Sequence, residues 1–324
     1  MKRVLLLAAC AACGSFEDED VVIDTRVLAM AAELPEQVVD VDFENPSETE
    51  LLGQLQRSRM CALVADPAHE RGLRWSMTLC VLTNDERCDE DLPALGIGAG
   101  RSADPELGLA ADAEICSVIE PDGNLLGILR AAFEADSFSG LGGLDYGVSL
   151  IVRGEDVDPA LDLYAGKTLR VSPRIPAART ANTNPTLEQL EISIDGADPI
   201  ALPLGRCIDQ LTPLVVGPRA LARITPIERA DTREVYVVPT LDGQSQTFTE
   251  SPTYQWVAGA GGYSSGSTGG PRDFSGNPAP LFTEWRAPDE DDLAGATLDV
   301  PLWIVQRDER LGAAWYESCL RVVR

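Results

Sequence analysis

Short apolar runs separated by turn-forming residues constrain the fold of this 324-residue chain more than any other feature. The runs contain many β-branched residues and are bounded by Gly, Pro, Asn, Asp and Ser, which is typical of short strands. In chain order they cover 21–32, 59–66, 73–82, 147–153, 168–172, 187–194, 233–238, 253–257, 298–307 and the segment that ends at Arg324. This pattern predicts an all-β fold built of sandwiches.

One segment with a different period interrupts the strands. Over 124–136 the apolar residues recur at helical spacing; they are Leu125, Ile128, Leu129, Ala132 and Phe133. Asp122 or Asn124 can cap the start of such a helix. We therefore predict one short helix, inserted in the first sandwich and packed on its edge.

The length of the chain suits two domains. The proline-rich segment 173–185 lacks any apolar period and predicts a connection between them. The predicted division is a first domain over 21–173, a linker over 174–185 and a second domain over 186–324. Within the second domain, the Gly- and Ser-rich segment 259–276 predicts a mobile loop, because no apolar face can form there.

A faint internal repeat favours two copies of one architecture. The segment 148–156 resembles 300–308, each precedes a closing strand, and each follows a strand with one central tryptophan, Trp75 or Trp256. An immunoglobulin-like sandwich buries a tryptophan on its third strand and ends in two paired strands. We therefore predict two tandem immunoglobulin-like sandwiches.

The N-terminus has the pattern of a bacterial lipoprotein signal over 1–13. Lys2 and Arg3 precede an apolar run, and small residues lead to Cys10 and Cys13. The run is far shorter than the roughly 20 residues that span a bilayer. We predict lipidation at Cys13, which leaves six further cysteines, an even number; Cys10 is the alternative and has the better lipobox.

The segment 14–20 that follows is acidic and predicts a solvated tether. Gly14 after Cys13 is not the aspartate that retains lipoproteins in the inner membrane. We therefore expect an outer-membrane location, on the periplasmic or the cell-surface face, with the membrane reached through the N-terminal lipid.

Charge and histidine content exclude several classes of function. Acidic residues outnumber basic ones by 52 to 26, so the formal net charge is −26. Nucleic acid is excluded as a partner, because phosphate binding depends on lysine and arginine. The one histidine, His69, lies in a turn-like segment, and a serine or cysteine triad needs a histidine to move protons. We predict no enzyme activity and no cofactor; a hydrolase that uses paired carboxylates is an alternative.

The remaining cysteines predict a disulfide framework, because an exported chain folds in an oxidising compartment. They are Cys61, Cys80, Cys88, Cys116, Cys207 and Cys319. Six cysteines allow 15 pairings. We predict a bond between Cys80 and Cys88, which a short loop separates, and one between Cys207 and Cys319, which both lie beyond the predicted linker.

Four segments resemble uncharacterised lipoproteins of myxobacterial type that have immunoglobulin-like domains. They are Arg26-Val27-Leu28-Ala29 with Pro35, Asn184-Pro185-Thr186-Leu187, Trp285-Arg286-Ala287-Pro288, and Trp303-Ile304-Val305 with Arg307-Asp308 and Ala314-Trp315. Family members usually have Gly-Arg-Gly-Gly in the final turn, where this chain has Glu309-Arg310-Leu311-Gly312. The resemblance implies a fold but no activity, ligand or catalytic residue.

Two acidic segments and four tryptophans are the remaining candidates for a site. The segments 84–91 and 289–292 offer oxygen ligands of the kind that Ca²⁺ prefers, but charge runs usually lie in water, and we predict no metal. Trp256, Trp285, Trp303 and Trp315 are predicted to be core, or alternatively to stack on sugars. The leading interpretation is a non-enzymatic envelope protein that is structural or binds an unknown envelope protein or polysaccharide. A carbohydrate- or calcium-binding module is the first alternative.

Overall fold

The first sandwich consists of two facing sheets and two short helices. The computed structural model describes residues 19–41, 43, 47–66, 72–83, 87–101, 115–154 and 157–324. The elements of this sandwich are β1 (Arg26–Ala32), β2 (Glu36–Val39), α1 (Glu48–Gln54), β3 (Ser58–Ala65), β4 (Leu73–Cys80), β5 (Leu95–Arg101), β6 (Ile115–Ile119), α2 (Gly123–Ala135), β7 (Leu144–Gly154) and β8 (Leu163–Pro173). One sheet has the order β1-β3-β6, and the other has the order β2-β8-β7-β4-β5. Only β2 and β8 run parallel among these described neighbours.

The second sandwich also has two sheets, and a separate hairpin extends from it. Its strands are β9 (Leu187–Ile194), β10 (Ile200–Ala201), β11 (Leu214–Val216), β12 (Leu221–Glu228), β13 (Val235–Pro239), β14 (Ser245–Thr249), β15 (Thr253–Ala258), β16 (Gly262–Tyr263), β17 (Ser267–Gly269), β18 (Thr283–Arg286), β19 (Thr297–Arg307) and β20 (Ala313–Val323). The sheets have the orders β10-β9-β12-β18-β16 and β11-β20-β19-β15-β17, while β13 and β14 pair only with each other.

The two sandwiches share one strand order. The sheet β1-β3-β6 corresponds to β9-β12-β18, and β2-β8-β7-β4-β5 corresponds to β11-β20-β19-β15-β17. In both, the first strand of the second sheet runs parallel to its neighbour. The prediction of an all-β sandwich fold is confirmed. The shared order favours the immunoglobulin-like assignment, because strands A, B and E form one sheet of that fold and C, F and G the other.

The prediction of a single helix is wrong, because α1 precedes the predicted helix α2. The side chain of Asp122 caps α2 by accepting from the backbone N–H groups of Asn124 and Leu125, at 2.9 and 3.1 Å. Ser47 caps α1 in the same way, and Glu50 stands three residues later. This Ser-x-x-Glu spacing is a helix-start signal, and it was available in the sequence.

The Gly- and Ser-rich segment is hydrogen-bonded into the second sandwich rather than forming the mobile loop that we predicted. It contains β16 and β17, and β17 pairs with β15. The buried Thr268 hydroxyl accepts from the Trp256 indole N–H at 2.8 Å and donates to the Leu281 carbonyl at 2.9 Å. The segment is ordered by partners distant in sequence, although its own composition provides no apolar face.

Three apolar clusters stabilise the chain, one inside each sandwich and one between them. The alternation along β19 shows how the third cluster forms. Leu302 and Ile304 belong to the core of the second sandwich, whereas Trp303 and Val305 face the first sandwich. A strand that is buried on both faces has a continuous apolar run, which explains the unbroken sequence at 302–305.

Three disulfides link described residues, and both predicted pairs are among them. They are Cys61–Cys116, Cys80–Cys88 and Cys207–Cys319. The first joins directly paired positions of β3 and β6. The third joins the turn before β11 to β20 and closes a separation of 112 residues.

Candidate interaction site

An apolar interface holds the two sandwiches together, face to face. It consists of buried residues from both sides, namely Val22, Leu28, Ala29, Leu63 and Ala65 with Val257, Trp303 and Val305, and Trp315 packs against it. The chain before β1 also reaches the second sandwich, because the Val22 N–H donates to the Ala258 carbonyl at 2.8 Å. Residues 21 and 22, which we assigned to the first domain, therefore contact the second sandwich.

The turn between β19 and β20 carries an arginine into this junction. The Asp308 carboxylate accepts from the backbone N–H groups of Arg310 and Gly312, both at 2.7 Å, and so shapes the turn. Leu311 has a φ of 88°, which is in the left-handed region that glycine adopts most readily. A leucine there is strained, so the turn adopts this conformation at a cost in backbone energy.

Arg310 contacts carboxylates from both sandwiches. Its Nη2 lies 2.6 Å from Oε2 of Glu36 on β2, and its Nη1 lies 3.3 Å from Oε2 of Glu234 and 3.8 Å from Oε1 of Glu250. Its guanidinium group also stacks over the Tyr236 ring, 4.7 Å from the centroid. Glu234 and Glu250 flank the β13–β14 hairpin, so one side chain connects β2, the final turn and the hairpin base.

Two residues of the predicted linker complete this group. Arg179 Nη2 donates to Glu36 Oε1 at 3.0 Å and to the Ser172 hydroxyl at 2.7 Å. The Asn182 amide N–H₂ donates to Asp308 at 3.1 Å, and its backbone N–H donates to Glu36 at 3.0 Å. We call Glu36, Arg179, Asn182, Glu234, Glu250, Asp308 and Arg310 the Arg310 cluster.

The electrostatics of the cluster differ between its two most buried carboxylates. Glu36 is 4% exposed. Burial raises its pKa, but the Ser172 hydroxyl and the two arginines outweigh burial, so the pKa lies below its ordinary value. Glu250 is 2% exposed, and burial together with the Asp308 and Glu234 carboxylates raises its pKa to about 7. Glu36 is therefore a fully paired anion, whereas Glu250 gains and loses its proton near neutral pH.

The Arg310 cluster holds the base of the hairpin. The Glu250 carboxylate accepts from the Glu234 N–H at 3.1 Å, while the Glu250 N–H donates to the Glu234 carbonyl at 3.0 Å. The hydroxyl of Thr183, from the predicted linker, donates to the Glu234 carboxylate. A two-stranded hairpin alone is marginally stable in water, so these contacts and the Arg310 stack on Tyr236 fix its position.

The hairpin presents apolar side chains to solvent from its base to its tip. Val235 is 61% exposed, Leu241 at the tip is 80% exposed, and Val238 and Phe248 are also exposed. The Tyr236 and Phe248 rings stack at 5.5 Å on one face. Within the described residues, no third strand pairs with β13 or β14. A rigid base, exposed apolar side chains and strands with no third partner make this hairpin the candidate interaction site.

The predicted candidates for chemistry lie elsewhere. Cys10, Cys13 and His69 fall outside the described residues, as does 84–86 of the first acidic segment. In the second segment, Asp289 pairs with Arg219 at 2.5 Å, and Asp292 accepts from the Asp289 N–H at 3.1 Å. No group of three or more metal-type side chains is found in the described parts of the chain.

Three of the four tryptophans predicted to be core are buried, and Trp315 is partly buried. Trp256, Trp285 and Trp303 are at most 1% exposed. Trp303 packs between the sandwiches rather than inside one, and Trp315 packs against the same interface. The aromatic faces of Trp256, Trp285 and Trp303 are thus covered by other residues of the chain and offer no surface on which a sugar could stack.

Sequence reasoning missed the Arg310 cluster. Its members come from β2, the predicted linker, both ends of the hairpin and the final turn, so no local spacing connects them.

Comparison with known proteins adds no function. No family model and no curated protein matches the chain. Solved structures with some similarity include a red sea bream transglutaminase (8% identity, 94% of this chain and 32% of that chain, TM-score 0.24), the YadV chaperone (9%, 90% and 100%, 0.23) and a Parabacteroides merdae β-glucuronidase (9%, 90% and 24%, 0.19). The chain thus spans less than a third of the two enzymes, and scores this low support no argument. Among the described residues, no helix is long and apolar enough to cross a membrane.

Proposed function

We propose that this chain is a non-enzymatic, lipid-anchored protein of the outer membrane whose role is to bind a partner in the cell envelope through the β13–β14 hairpin. The observation that carries the proposal is the contrast within the hairpin. Its base is fixed by the Glu234–Arg310 ion pair and by two hydrogen bonds between Glu234 and Glu250, while its strands and its tip expose apolar side chains to solvent. Exposed apolar surface with a polar border is typical of protein interaction sites.

The arrangement of charges supports a binding role over catalysis. The carboxylates of the Arg310 cluster lie under the hairpin and face arginines at 2.6 to 3.8 Å. A pair of catalytic carboxylates needs room for substrate between them, whereas these side chains are packed against each other. The cluster is therefore interpreted as the support of the hairpin.

A partner-binding test compares two triple variants in the native envelope. Val235→Ser, Val238→Ser and Leu241→Ser together remove exposed aliphatic side chains from the hairpin and leave the Tyr236–Phe248 stack in place. The matched control changes three exposed aliphatic residues at another edge of the same sandwich, namely Leu204→Ser, Ile208→Ser and Leu211→Ser. We expect chemical cross-linking and mass spectrometry to lose the partner with the hairpin variant only. Equal cross-linking of both variants would contradict the hairpin as the contact surface.

The anchor is tested separately by metabolic labelling with a palmitate analogue. We expect label in the wild type and in Cys10→Ala, and no label in Cys13→Ala. Label that persists in Cys13→Ala and disappears in Cys10→Ala would transfer the lipid to Cys10. An unlabelled wild-type chain would refute the anchor, and the hairpin experiment would still report on binding.

A further inference from the structure

The hairpin has one strand edge whose backbone groups point into solvent. In β13–β14, Tyr236 pairs with Phe248 and Val238 with Gln246. Two hydrogen bonds, one at each end of the hairpin, show which residues direct their backbone groups toward the partner strand. At the tip the Thr240 N–H donates to the Gln244 carbonyl, and at the base the Glu250 N–H donates to the Glu234 carbonyl. In an antiparallel pair every second residue directs both backbone groups away from its partner. The outward residues of β14 are therefore Ser245, Thr247 and Thr249.

These outward groups have no hydrogen-bond partner among the described residues. The β14 edge thus offers three N–H and three C=O groups in one row, and all five of its side chains are exposed. The opposite edge, on β13, contains Pro239, which has no N–H to donate. The two edges are therefore unequal, and β14 is the edge that can accept a further strand.

The β14 edge also lacks the features that normally block strand addition. Protected edges carry lysine, proline, an inward charge or a bulge. The sequence of β14, Ser-Gln-Thr-Phe-Thr, has none of these residues, and its register with β13 is unbroken. The base of the hairpin is held by the Arg310 cluster, so binding would cost little conformational entropy.

The negative charge of the chain indicates which kind of partner the β14 edge binds. The only charged residue from Val235 to Thr249 is Asp242, and the chain as a whole has a net charge of −26. Long-range repulsion disfavours a second copy of this acidic chain on the edge, while it favours the approach of a cationic segment.

We propose that an extended, positively charged segment of a partner protein adds to the β14 edge as a third strand, antiparallel or parallel to it. This inference rests on the proposed binding role of the hairpin and names its occupant. In strand addition the main-chain hydrogen bonds provide affinity, and side chains of alternate residues provide specificity. Gln246 and Phe248, exposed on one face of β14, are the contacts available to such side chains.

The first experiment uses a synthetic peptide of defined sequence and the full-length mature chain. The probe is an acetylated, amidated peptide of alternating valine and threonine with a lysine at each end. We expect saturable binding, with new protection of the Ser245, Thr247 and Thr249 amides from hydrogen exchange. A peptide N-methylated at alternate residues, and one with glutamate in place of lysine, are the controls and should bind at least about tenfold more weakly, which corresponds to roughly 1.4 kcal/mol.

The second experiment changes the edge itself. Thr247→Pro removes an outward N–H at a position where an edge strand tolerates proline, whereas Thr247→Val keeps it and serves as the matched control. We expect about tenfold weaker binding by the proline variant and little change for the valine variant. Protection of the Glu234 and Glu250 amides reports whether the hairpin remains folded in each variant.

Three results would overturn the inference. The first is equal binding of the N-methylated peptide, and the second is equal binding by a folded Thr247→Pro variant. The third is a homodimer of the wild type that Thr247→Pro dissociates, because the occupant would then be a second copy. A failure of lipid labelling or of envelope cross-linking leaves these measurements unchanged, so the two proposals can fail independently.

Discussion

Replacing Glu250 with glutamine tests the electrostatics of the Arg310 cluster. Glutamine keeps the size of the side chain and an oxygen that can accept the Glu234 N–H bond at 3.1 Å. It removes the ability to ionise and places an amide N–H₂ near Arg310, where Glu250 Oε1 lies 3.8 Å from Nη1. Because the amide does not titrate, the pH dependence of the difference from wild type isolates the free energy of placing a negative charge there.

The sign and size of the effect follow from the pKa. The ordinary value is 4.5 and the folded value is about 7, so the folded state binds this proton more tightly than the unfolded chain does. The stabilising contribution is fully present below about pH 4.5 and is lost as the pH rises through about 7. A shift of this size corresponds to about 3 kcal/mol. We therefore expect the free energy of unfolding of Glu250→Gln, relative to wild type, to rise by up to about 3 kcal/mol between pH 4.5 and 8.

The assay is urea unfolding at several pH values, combined with hydrogen exchange of the Glu234 and Glu250 amides. The contribution of Glu36 to stability has the opposite pH dependence. Because the pKa of Glu36 is lowered, its contribution is lost only as the pH falls below the ordinary pKa of a glutamate. Measurements above pH 5 therefore separate the two groups. The matched control is Glu309→Gln, which changes an exposed carboxylate in the same turn as Arg310. We expect its unfolding free energy to depend on pH as that of the wild type does. A Glu250→Gln variant with the same pH slope as wild type would refute the reasoning.

Three further predictions concern stability. Replacing Cys207 and Cys319 with serine removes a disulfide that joins residues 112 positions apart and should lower the free energy of unfolding by about 4 kcal/mol. Calorimetry should show the second sandwich melting before the first, and an unchanged Tm would contradict this. Leu311→Gly relieves a φ of 88° and should raise stability by up to about 1 kcal/mol; a loss of stability would show that Leu311 packing matters more. Ser47→Ala removes the α1 cap and should cost about 1 kcal/mol in urea unfolding, whereas an unchanged midpoint would mean that packing alone holds α1.

The local features of this fold could be read from the sequence, and the reason is physical. A strand or helix is marked by a period of apolar residues that lies within the element itself, which is why 187–194 and the helix capped by Asp122 were predicted closely. The two predicted disulfides required only the short spacing between Cys80 and Cys88 and the position of Cys207 and Cys319 beyond the predicted linker. The shared strand order of the two sandwiches was visible as a faint repeat, because equivalent strands bury equivalent faces.

Only the tertiary structure decided how the two sandwiches pack and where the candidate site lies. Glu36, Glu234 and Arg310 meet because a β2 strand, a hairpin base and a final turn converge at the junction, and no local pattern encodes that convergence. Likewise, Thr268 is buried because Trp256 and Leu281 supply its hydrogen-bond partners, although its own neighbours in sequence predict a loop. Contacts between distant residues depend on sheet packing and register, and local propensity contains no information about either until the chain has folded.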